Sequence, residues 1–336
     1  MTISVCMIVK NEEKVLARCL DSLAGLYDEL IIVDTGSCDE TKSIASRYTD
    51  KIYDFEWISD FSAARNFAFS KATMEYIYSA DADEVLDEEN RMRFKILKDN
   101  LLPEIEIVQM KYGNQLENGT VYNFDEEYRP KLFKRVRTFT WIEPVHETVR
   151  LDPVVFDSEI VITHKPLSNH ASRDIDIFTG RLKKGEMLSP RLWEMFAKEL
   201  FISGTDEDIE RIYDCFIDFE KQPMDRDLHK VICCVIVRAA RIKKDAGIFF
   251  KYAVKLLAAG DGCSESCLEM GLWYEETGDL EEALIWFYNA VHETEAIIKL
   301  SSSTIEPLSH MADIYDGFGE KEQAEGCRRM IDELGK

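Results

Sequence analysis

An acidic segment follows an apolar run in the first third of the chain. The sequence SADADEVLD places carboxylates at positions 81, 83, 84 and 87, directly after MEYIY. Asp81 and Asp83 are two residues apart, behind a run that predicts a strand. Hard oxygen ligands suit Mg²⁺ or Mn²⁺, which commonly complete their shell with phosphate oxygens and water. The segment therefore indicates a bound divalent cation that in turn binds an anionic ligand. The competing interpretation is a solvated acidic turn at the start of a helix.

Strand and helix patterns alternate from the first residue to about residue 86. The four β-rich runs are ISVCMIV, DELIIVD, KIYDFEW and EYIYSADAD, with helical stretches between them. This alternation predicts βαβ units and a mainly parallel sheet. In doubly wound sheets, ligands bind outside the carboxyl ends of the strands, which is where the two aspartates fall.

The pattern changes after this region. IEIVQMKYG and GTVYNFDEEYRPKLFKR predict antiparallel strands, and VVFDSEIVITHKP ends the strand-rich part. From about residue 171 the sequence is helical, which predicts an α/β domain over residues 1–170 and an all-α domain over residues 171–336. Within the second domain, residues 267–332 contain two stretches that each predict a helical hairpin, broken at Gly278 and at Gly319. Tetratricopeptide-like hairpins are the favoured interpretation, and an ordinary helical bundle is the alternative.

Composition narrows the classes of partner. The chain has 336 residues, is 46% hydrophobic and carries a net charge of −23. Such a charge speaks against nucleic acid and anionic membrane surfaces as main partners. No segment reaches the about 18 apolar residues of a membrane span. The nine cysteines show no CxxC pair and no histidine companion at zinc spacing, so we expect a reducing, cytoplasmic environment and no disulfide framework.

Four motifs occur in a fixed order before residue 90. They are ISVCMIVKNEE, DELIIVDTGSCDET, WISDFSAARN and YIYSADADEV. Together they resemble family 2 glycosyltransferases of the GT-A fold, a Rossmann-like fold with a mainly parallel sheet. The subgroup is bacterial, carries W-x-x-D-F-S-x-A-R-N and V-H-E, and often has a tetratricopeptide tail. It includes lipopolysaccharide-core and sublancin-type peptide glycosyltransferases. The subgroup often has LDADD where this chain has SADADE.

The resemblance implies an inverting transfer from a UDP-sugar, assisted by Mn²⁺ or Mg²⁺. The acceptor would be a peptide, a protein or a cell-surface glycan. On the nucleotide side, the resemblance implies that Val9 and Asn11 line the nucleobase pocket and that Glu12 hydrogen-bonds there. Asp34 would accept a hydrogen bond from the uracil or ribose, beside Thr35.

The same resemblance implies roles on the phosphate side. Arg65 would reach the diphosphate or the uracil, and the alternative is a structural salt bridge to Asp60 or Asp81. Asp81 would contact the ribose or the sugar, and Asp83 would ligate the metal. His164, after a strand, corresponds to a position where related enzymes supply a further metal ligand.

The segment FTWIEPVHETV at 139–149 corresponds to the acceptor side of the family. An inverting transfer needs a base that takes the acceptor proton, and Glu147 is the first candidate. Glu143 is the second, and His146 could orient the site, act as base or be structural. The helical domain would recognise the acceptor or form a homodimer.

Two other functions compete with this hypothesis. DADEV also fits the D-x-D-x-[TV] motif of haloacid-dehalogenase phosphatases, and GDG at 260–262 resembles their later acidic motif. However, the run before GDG has the pattern of a helix end, and a lysine motif between the two is missing. The second alternative is a non-catalytic sugar-nucleotide fold that binds a protein through its helical repeats.

Overall fold

The computed structural model describes residues 1–113, 127–149, 153–165, 171–258 and 262–334. The chain divides into two compact units, Met1–His170 and Ala171–Lys336, which are described separately below. None of the described helices combines the length and the apolar character needed to cross a bilayer.

The described part of the first unit is built on an eight-stranded sheet in the order β3-β2-β1-β4-β7-β6-β10-β5. Strands β1 to β4 run parallel, as do β6 and β10, whereas β7 is antiparallel to both β4 and β6. A separate antiparallel pair is formed by β8 and β9. The elements are β1 (Ile3–Val9), α1 (Leu16–Leu23), β2 (Glu29–Asp34), α2 (Thr41–Ala45), β3 (Ile52–Asp54), α3 (Phe61–Lys71), β4 (Tyr76–Ala80), β5 (Glu84–Val85), α4 (Glu88–Asn100), β6 (Ile107–Gly113), β7 (Glu127–Lys134), β8 (Trp141–Ile142), β9 (Thr148–Val149) and β10 (Val155–His164).

The central strands are buried on both faces, which explains their nearly continuous apolar sequence. Glu29 is an exception, a buried carboxylate at the start of β2. It accepts hydrogen bonds from the Ser4 hydroxyl, the Lys51 ammonium group and the amide and hydroxyl of Thr73. Burial raises the pKa of this carboxyl, but these donors outweigh burial and lower the pKa to about 2. The charge therefore persists and joins β1, β2 and the segment that leads into β4.

The fourth strand ends earlier than the sequence pattern predicts. β4 stops at Ala80, the chain turns at Asp81–Asp83, and the two-residue β5 pairs back onto β10. Both aspartates therefore lie past the strand end, in a turn at the carboxyl edge of the sheet. The strand predicted from GTVYNFDEEYRPKLFKR is observed only from Glu127, because residues 114–126 lie outside the described residues.

Among the described residues, another strand covers only part of one edge of β10. There, β5 pairs with Thr163 and His164. Helix α4 contacts the next stretch through side chains: Asn90 Oδ1 accepts from the amide of Val161 at 2.8 Å. Arg93 Nη1 donates to the carbonyl of Glu159 at 2.6 Å. The helix thus satisfies backbone groups that a neighbouring strand would otherwise bind.

The described part of the second unit is helical, so the predicted order of a mainly parallel α/β part followed by a helical region is confirmed. Helices α10 and α11 form a hairpin, as do α12 and α13, and Gly278 and Gly319 at the breaks have φ of 87° and 79°. Glycine takes this left-handed conformation without steric cost, which favours it at helix ends. The helices are α5 (Ala171–Lys183), α6 (Pro190–Ser203), α7 (Asp206–Glu220), α8 (Arg226–Ile242), α9 (Ala246–Ala258), α10 (Ser264–Thr277), α11 (Leu280–His292), α12 (Ile305–Phe318) and α13 (Lys321–Leu334).

The first hairpin depends on a close approach at Gly271. A Cβ atom built there would lie 2.4 Å from ring carbons of Phe287, which is itself fully buried. We expect Gly271→Ala to destabilise the protein by about 1–3 kcal/mol, the usual cost of overpacking. Urea unfolding followed by circular dichroism measures this change.

Gly317→Ala is the matched control, because this glycine is also helical and has no atom within 4 Å of the built Cβ. It should leave stability unchanged or raise it slightly, since alanine favours helices by about 1 kcal/mol over glycine. Equal effects of the two substitutions would contradict the packing role of Gly271.

Candidate functional site

Asp34 ends β2 with one oxygen fixed and the other available. Its Oδ1 accepts from the amides of Gly36 at 3.0 Å and Ser37 at 2.9 Å, which shapes the turn after the strand. Its Oδ2 is buried and has no hydrogen-bond partner among the described residues. A buried carboxylate oxygen without a donor is costly unless a ligand supplies one. Asp34 can therefore accept a hydrogen bond from a ligand N–H or O–H.

The loop after β1 lies against this turn. Thr35 donates both its amide and its hydroxyl to the Val9 carbonyl, at 2.9 and 3.1 Å. Asn11 has a left-handed φ of 57°, and its Oδ1 accepts from the amide of Cys38 at 2.8 Å. Glu12 donates its amide to the Thr41 hydroxyl at 2.7 Å. The five residues predicted on the nucleotide side therefore lie together at the carboxyl ends of β1 and β2, in the last residue of each strand and in the two adjoining loops.

Arg65 occupies the first half of α3, whose N-terminus is capped by Asp60 through the amide of Ala63. Its guanidinium donates to Glu147 through Nε, to the Ser79 hydroxyl at 2.9 Å through Nη1 and to Asp81 at 2.8 Å through Nη2. The predicted alternative of a salt bridge to Asp81 is therefore present. The Ser79 hydroxyl accepts one of these hydrogen bonds.

A buried lysine, which the sequence analysis missed, completes the charge balance around Asp81. Lys131 on β7 forms an ion pair with Glu84 and lies 3.5 Å from Asp81 Oδ2 and 3.4 Å from the Ser79 carbonyl. Burial works against ionisation of Asp81, but Arg65 and Lys131 hold the pKa of its carboxyl well below the ordinary value. Burial raises the pKa of Glu84, and Lys131 opposes this rise.

Asp83 and His164 face each other although they are far apart in sequence. Asp83 Oδ2 lies 2.9 Å from His164 Nε2, and the Asp83 carbonyl accepts from the amide of Lys165 at 3.0 Å. His164 ends β10, where it pairs with Glu84 of β5. A carboxylate oxygen and an imidazole nitrogen at the ligand edge of a sheet fit a divalent ion. The nitrogen ligand favours Mn²⁺ over Mg²⁺, which prefers oxygen.

The segment around 143–147 is backbone-strained and meets the start of α3. Glu143 and His146 have left-handed φ of 70° and 48°, which non-glycine residues rarely adopt. The Pro144 carbonyl accepts from the amide of Phe61 at 2.8 Å. Of the three predicted base candidates, Glu147 contacts Arg65, and Glu143 and His146 precede it in the same loop. Strained backbone that the surroundings hold in place is common at functional sites.

Residues 4–140 match the family model of glycosyl transferase family 2. This match confirms, for these residues, the resemblance that the sequence motifs predict.

Relatives share shorter stretches with the chain. A TPR repeat-containing protein of Synechococcus elongatus is 49% identical over 84 residues, 25% of this chain and 21% of that protein. The glycosyltransferase SunS of Bacillus subtilis is 39% identical over 92 residues, 27% of this chain and 22% of its own length. The chain thus matches about a fifth of the length of each. Glucosyl-3-phosphoglycerate synthase from Mycobacterium tuberculosis, solved with Mn²⁺ and UDP, aligns with a TM-score of 0.42 and 19% identity, over 56% of this chain and 80% of that one.

The contacts of Lys131 predict what its removal does. Lys131→Met leaves Glu84 buried without its cation, so we expect a loss of about 3–5 kcal/mol in the free energy of unfolding. Adding Glu84→Gln should recover part of that loss, because the remaining group is neutral. Urea unfolding of the two single variants and the double variant measures this coupling, and strictly additive effects would contradict the ion pair.

Proposed function

We propose that the protein is an inverting, metal-dependent glycosyltransferase that uses a UDP-sugar. The observation that carries this proposal is the pair Asp83 and His164, 2.9 Å apart beside Arg65 and Asp81 at the carboxyl edge of the sheet. A divalent ion bound there supplies positive charge to the leaving diphosphate. The family 2 domain over residues 4–140 supports the same assignment.

Different residues of the chain can bind different parts of the UDP-sugar donor. The free Oδ2 of Asp34 suits the N–H of a uracil or a ribose hydroxyl. Arg65 presents a planar fork of donors next to Asp81, so it can exchange a carboxylate for a phosphate oxygen of similar geometry. Asp81, held ionised by Arg65 and Lys131, can accept from ribose or sugar hydroxyls. Asp83 and His164 would hold the metal.

The acceptor proton needs a base, and Glu147 remains our first candidate. Its ion pair with Arg65 keeps it at the edge of the donor site and restrains its position. When Arg65 turns to the diphosphate, Glu147 loses this partner and can accept the proton as the acceptor oxygen attacks. Glu143 and His146, on the same strained loop, are the other candidates.

The class of acceptor is inferred from the helical unit and from the relatives. The helical hairpins of the second unit suit an extended peptide, and such hairpins also pair as dimers. The Rhizobium meliloti lipopolysaccharide core biosynthesis glycosyltransferase LpsC is 30% identical over 109 residues, 31% of this chain and 37% of that protein, and its name fits a glycan acceptor. All nine cysteines are free thiols, which fits a reducing cytoplasm. We therefore propose a cytoplasmic enzyme with a peptide, protein or glycan acceptor.

Hydrolysis assays separate this proposal from its alternatives. Slow, Mn²⁺-dependent release of UDP from a UDP-sugar supports the transferase. Release of phosphate from p-nitrophenyl phosphate would instead support the phosphatase hypothesis. Neither activity, together with retained protein binding, would support the scaffold. A panel of UDP- and GDP-sugars, scored by hydrolysis, identifies the donor.

The metal ligands give the first functional prediction. Asp83→Ala should abolish the Mn²⁺-dependent part of UDP binding and leave thermal stability nearly unchanged, because the side chain lies in a turn. Calorimetric titration with UDP, in Mn²⁺ and in EDTA, measures the metal-dependent and the metal-independent parts of UDP binding. Asp157→Ala is the control, because this aspartate is exposed on the same strand as His164. Equal UDP affinity of the native chain with EDTA and with Mn²⁺ would refute the metal site.

The proposed role of Glu147 as the base gives the second functional prediction. Glu147→Gln should slow transfer by about 10² to 10⁴, the usual scale of general base catalysis, with UDP affinity within a few-fold of the native value. If Glu147 only positions Arg65, UDP affinity falls together with the rate. A variant that transfers at a near-native rate would move the base to Glu143 or His146.

A further inference from the structure

A group of side chains that could ligate a metal lies in the helical unit. Glu220 is the last residue of α7, and His229 and Cys233 lie one turn apart on α8. One ligand atom from each lies within 4.8 Å of the other two. We propose that Glu220, His229 and Cys233 bind a borderline-soft divalent ion, with Zn²⁺ as the best match.

The distances fit a tetrahedral zinc site. With Zn–S of about 2.3 Å and Zn–N and Zn–O of about 2.1 Å, tetrahedral angles place N and S about 3.6 Å apart and N and O about 3.4 Å apart. His229 Nε2 lies 3.6 Å from Cys233 Sγ and 3.0 Å from Glu220 Oε1. Cys233 Sγ also lies 3.9 Å from Nδ1 of the same ring, so the imidazole must rotate before its Nε2 lone pair faces an ion shared with the sulfur. The carboxylate needs to move by only a few tenths of an ångström.

The expectation that no cysteine has a histidine companion at zinc spacing is wrong for Cys233, since His229 precedes it by four residues. Residues four apart share one face of a helix, so α8 aligns His229 with Cys233. Glu220 reaches them because the chain turns sharply between α7 and α8. Cys233 is fully buried, whereas 27% of the His229 side chain is exposed, so an ion can enter on the histidine side.

The group already contains a cation, which makes the proposal testable. Lys255 on α9 forms an ion pair with Glu220 Oε1, and the Tyr252 hydroxyl donates to Oε2 at 3.0 Å. Burial raises the pKa of Glu220, but Lys255, His229 and Tyr252 outweigh it and lower the pKa to about 2, so the ligand is ionised. The Lys255 side chain is 45% exposed and can swing into water when a metal replaces it.

Binding changes the protonation of the cysteine. Burial raises the pKa of Cys233 to about 12, so the free chain holds a neutral thiol. Forming the sulfur–metal bond releases that proton to solvent, and the thiolate charge is neutralised by the ion. The bound site then combines one thiolate, one carboxylate and one neutral imidazole. Its total charge with Zn²⁺ is zero, which is favourable in a largely buried position.

A second buried group in the same unit is a weaker candidate. Cys234 and Cys263 have their sulfurs 3.4 Å apart, close to Glu265. Both oxygens of Glu265 already accept backbone amide hydrogen bonds, from residues 297–299. All three side chains are fully buried, so an ion would have to enter through the packed core.

Cobalt spectroscopy on the full-length, reduced, metal-free chain tests the site. Co²⁺ should produce one near-ultraviolet thiolate-to-metal band per chain, which Zn²⁺ abolishes by displacement. Cys233→Ser and His229→Gln should each remove the band, whereas Cys215→Ser, which alters a thiol on α7, should keep it. A metal at Asp83 has no thiolate ligand, so Asp83→Ala should leave the band unchanged.

Lys255→Met supplies the decisive comparison. Removing a competing charge a few ångströms from the ion should tighten Zn²⁺ binding by about tenfold or more. Melting curves in EDTA check that each variant is folded. If Cys233→Ser does not fold, the loss or persistence of the cobalt band in His229→Gln tests the site instead. The absence of the band, its persistence without Cys233 and His229, or unchanged affinity in Lys255→Met would each overturn the proposal and leave an ordinary ion pair.

Discussion

The compensation of carboxylate charge at the end of β4 is the interaction on which the first unit depends. Asp81 and Glu84 are brought together by the turn that follows the strand, and Glu147 approaches from another loop. Two cations, Arg65 from α3 and Lys131 from β7, lie between them. Without these cations, burial would favour the protonated acids, and a neutral Asp81 would be a poor hydrogen-bond acceptor for a sugar.

This arrangement also explains why a helix and a distant loop belong to the same site. Asp60 caps α3 and so fixes the point from which Arg65 extends. The Phe61 amide holds the Pro144 carbonyl, and Asn66 exchanges two hydrogen bonds with the backbone of Trp141, at 2.8 and 2.9 Å. The W-x-x-D-F-S-x-A-R-N motif therefore positions the 141–147 segment as well as its own arginine. The left-handed backbone at Glu143 and His146 is held by these contacts.

Much of this could be predicted from the sequence, because alternation of strands and helices places strand ends at one edge of a sheet. That rule brings Asp34, Asp81 and Asp83 to the same edge. Lys131 could not be found in this way, since a lysine in a strand with other charged residues, EYRPKLFK, is ordinarily solvated at its tip. Only the register of β7 against β4 directs it inward, toward acids about fifty residues away. The pairing of Arg65 with Glu147 is likewise set by loop geometry, and the His229–Cys233 pair by a helix face.

The partial cover of β10 has a consequence for solubility. In the part of the chain that the structure describes, helix α4 lies where a further strand could pair, and its Asn90 and Arg93 side chains bind the backbone of β10. The exposed Val155 and Phe156 lie farther along the same strand. If α4 detaches, during synthesis or mild heating, the strand becomes a template for the backbone of another molecule. The docking of α4 therefore protects this stretch of β10 from pairing with the backbone of another molecule.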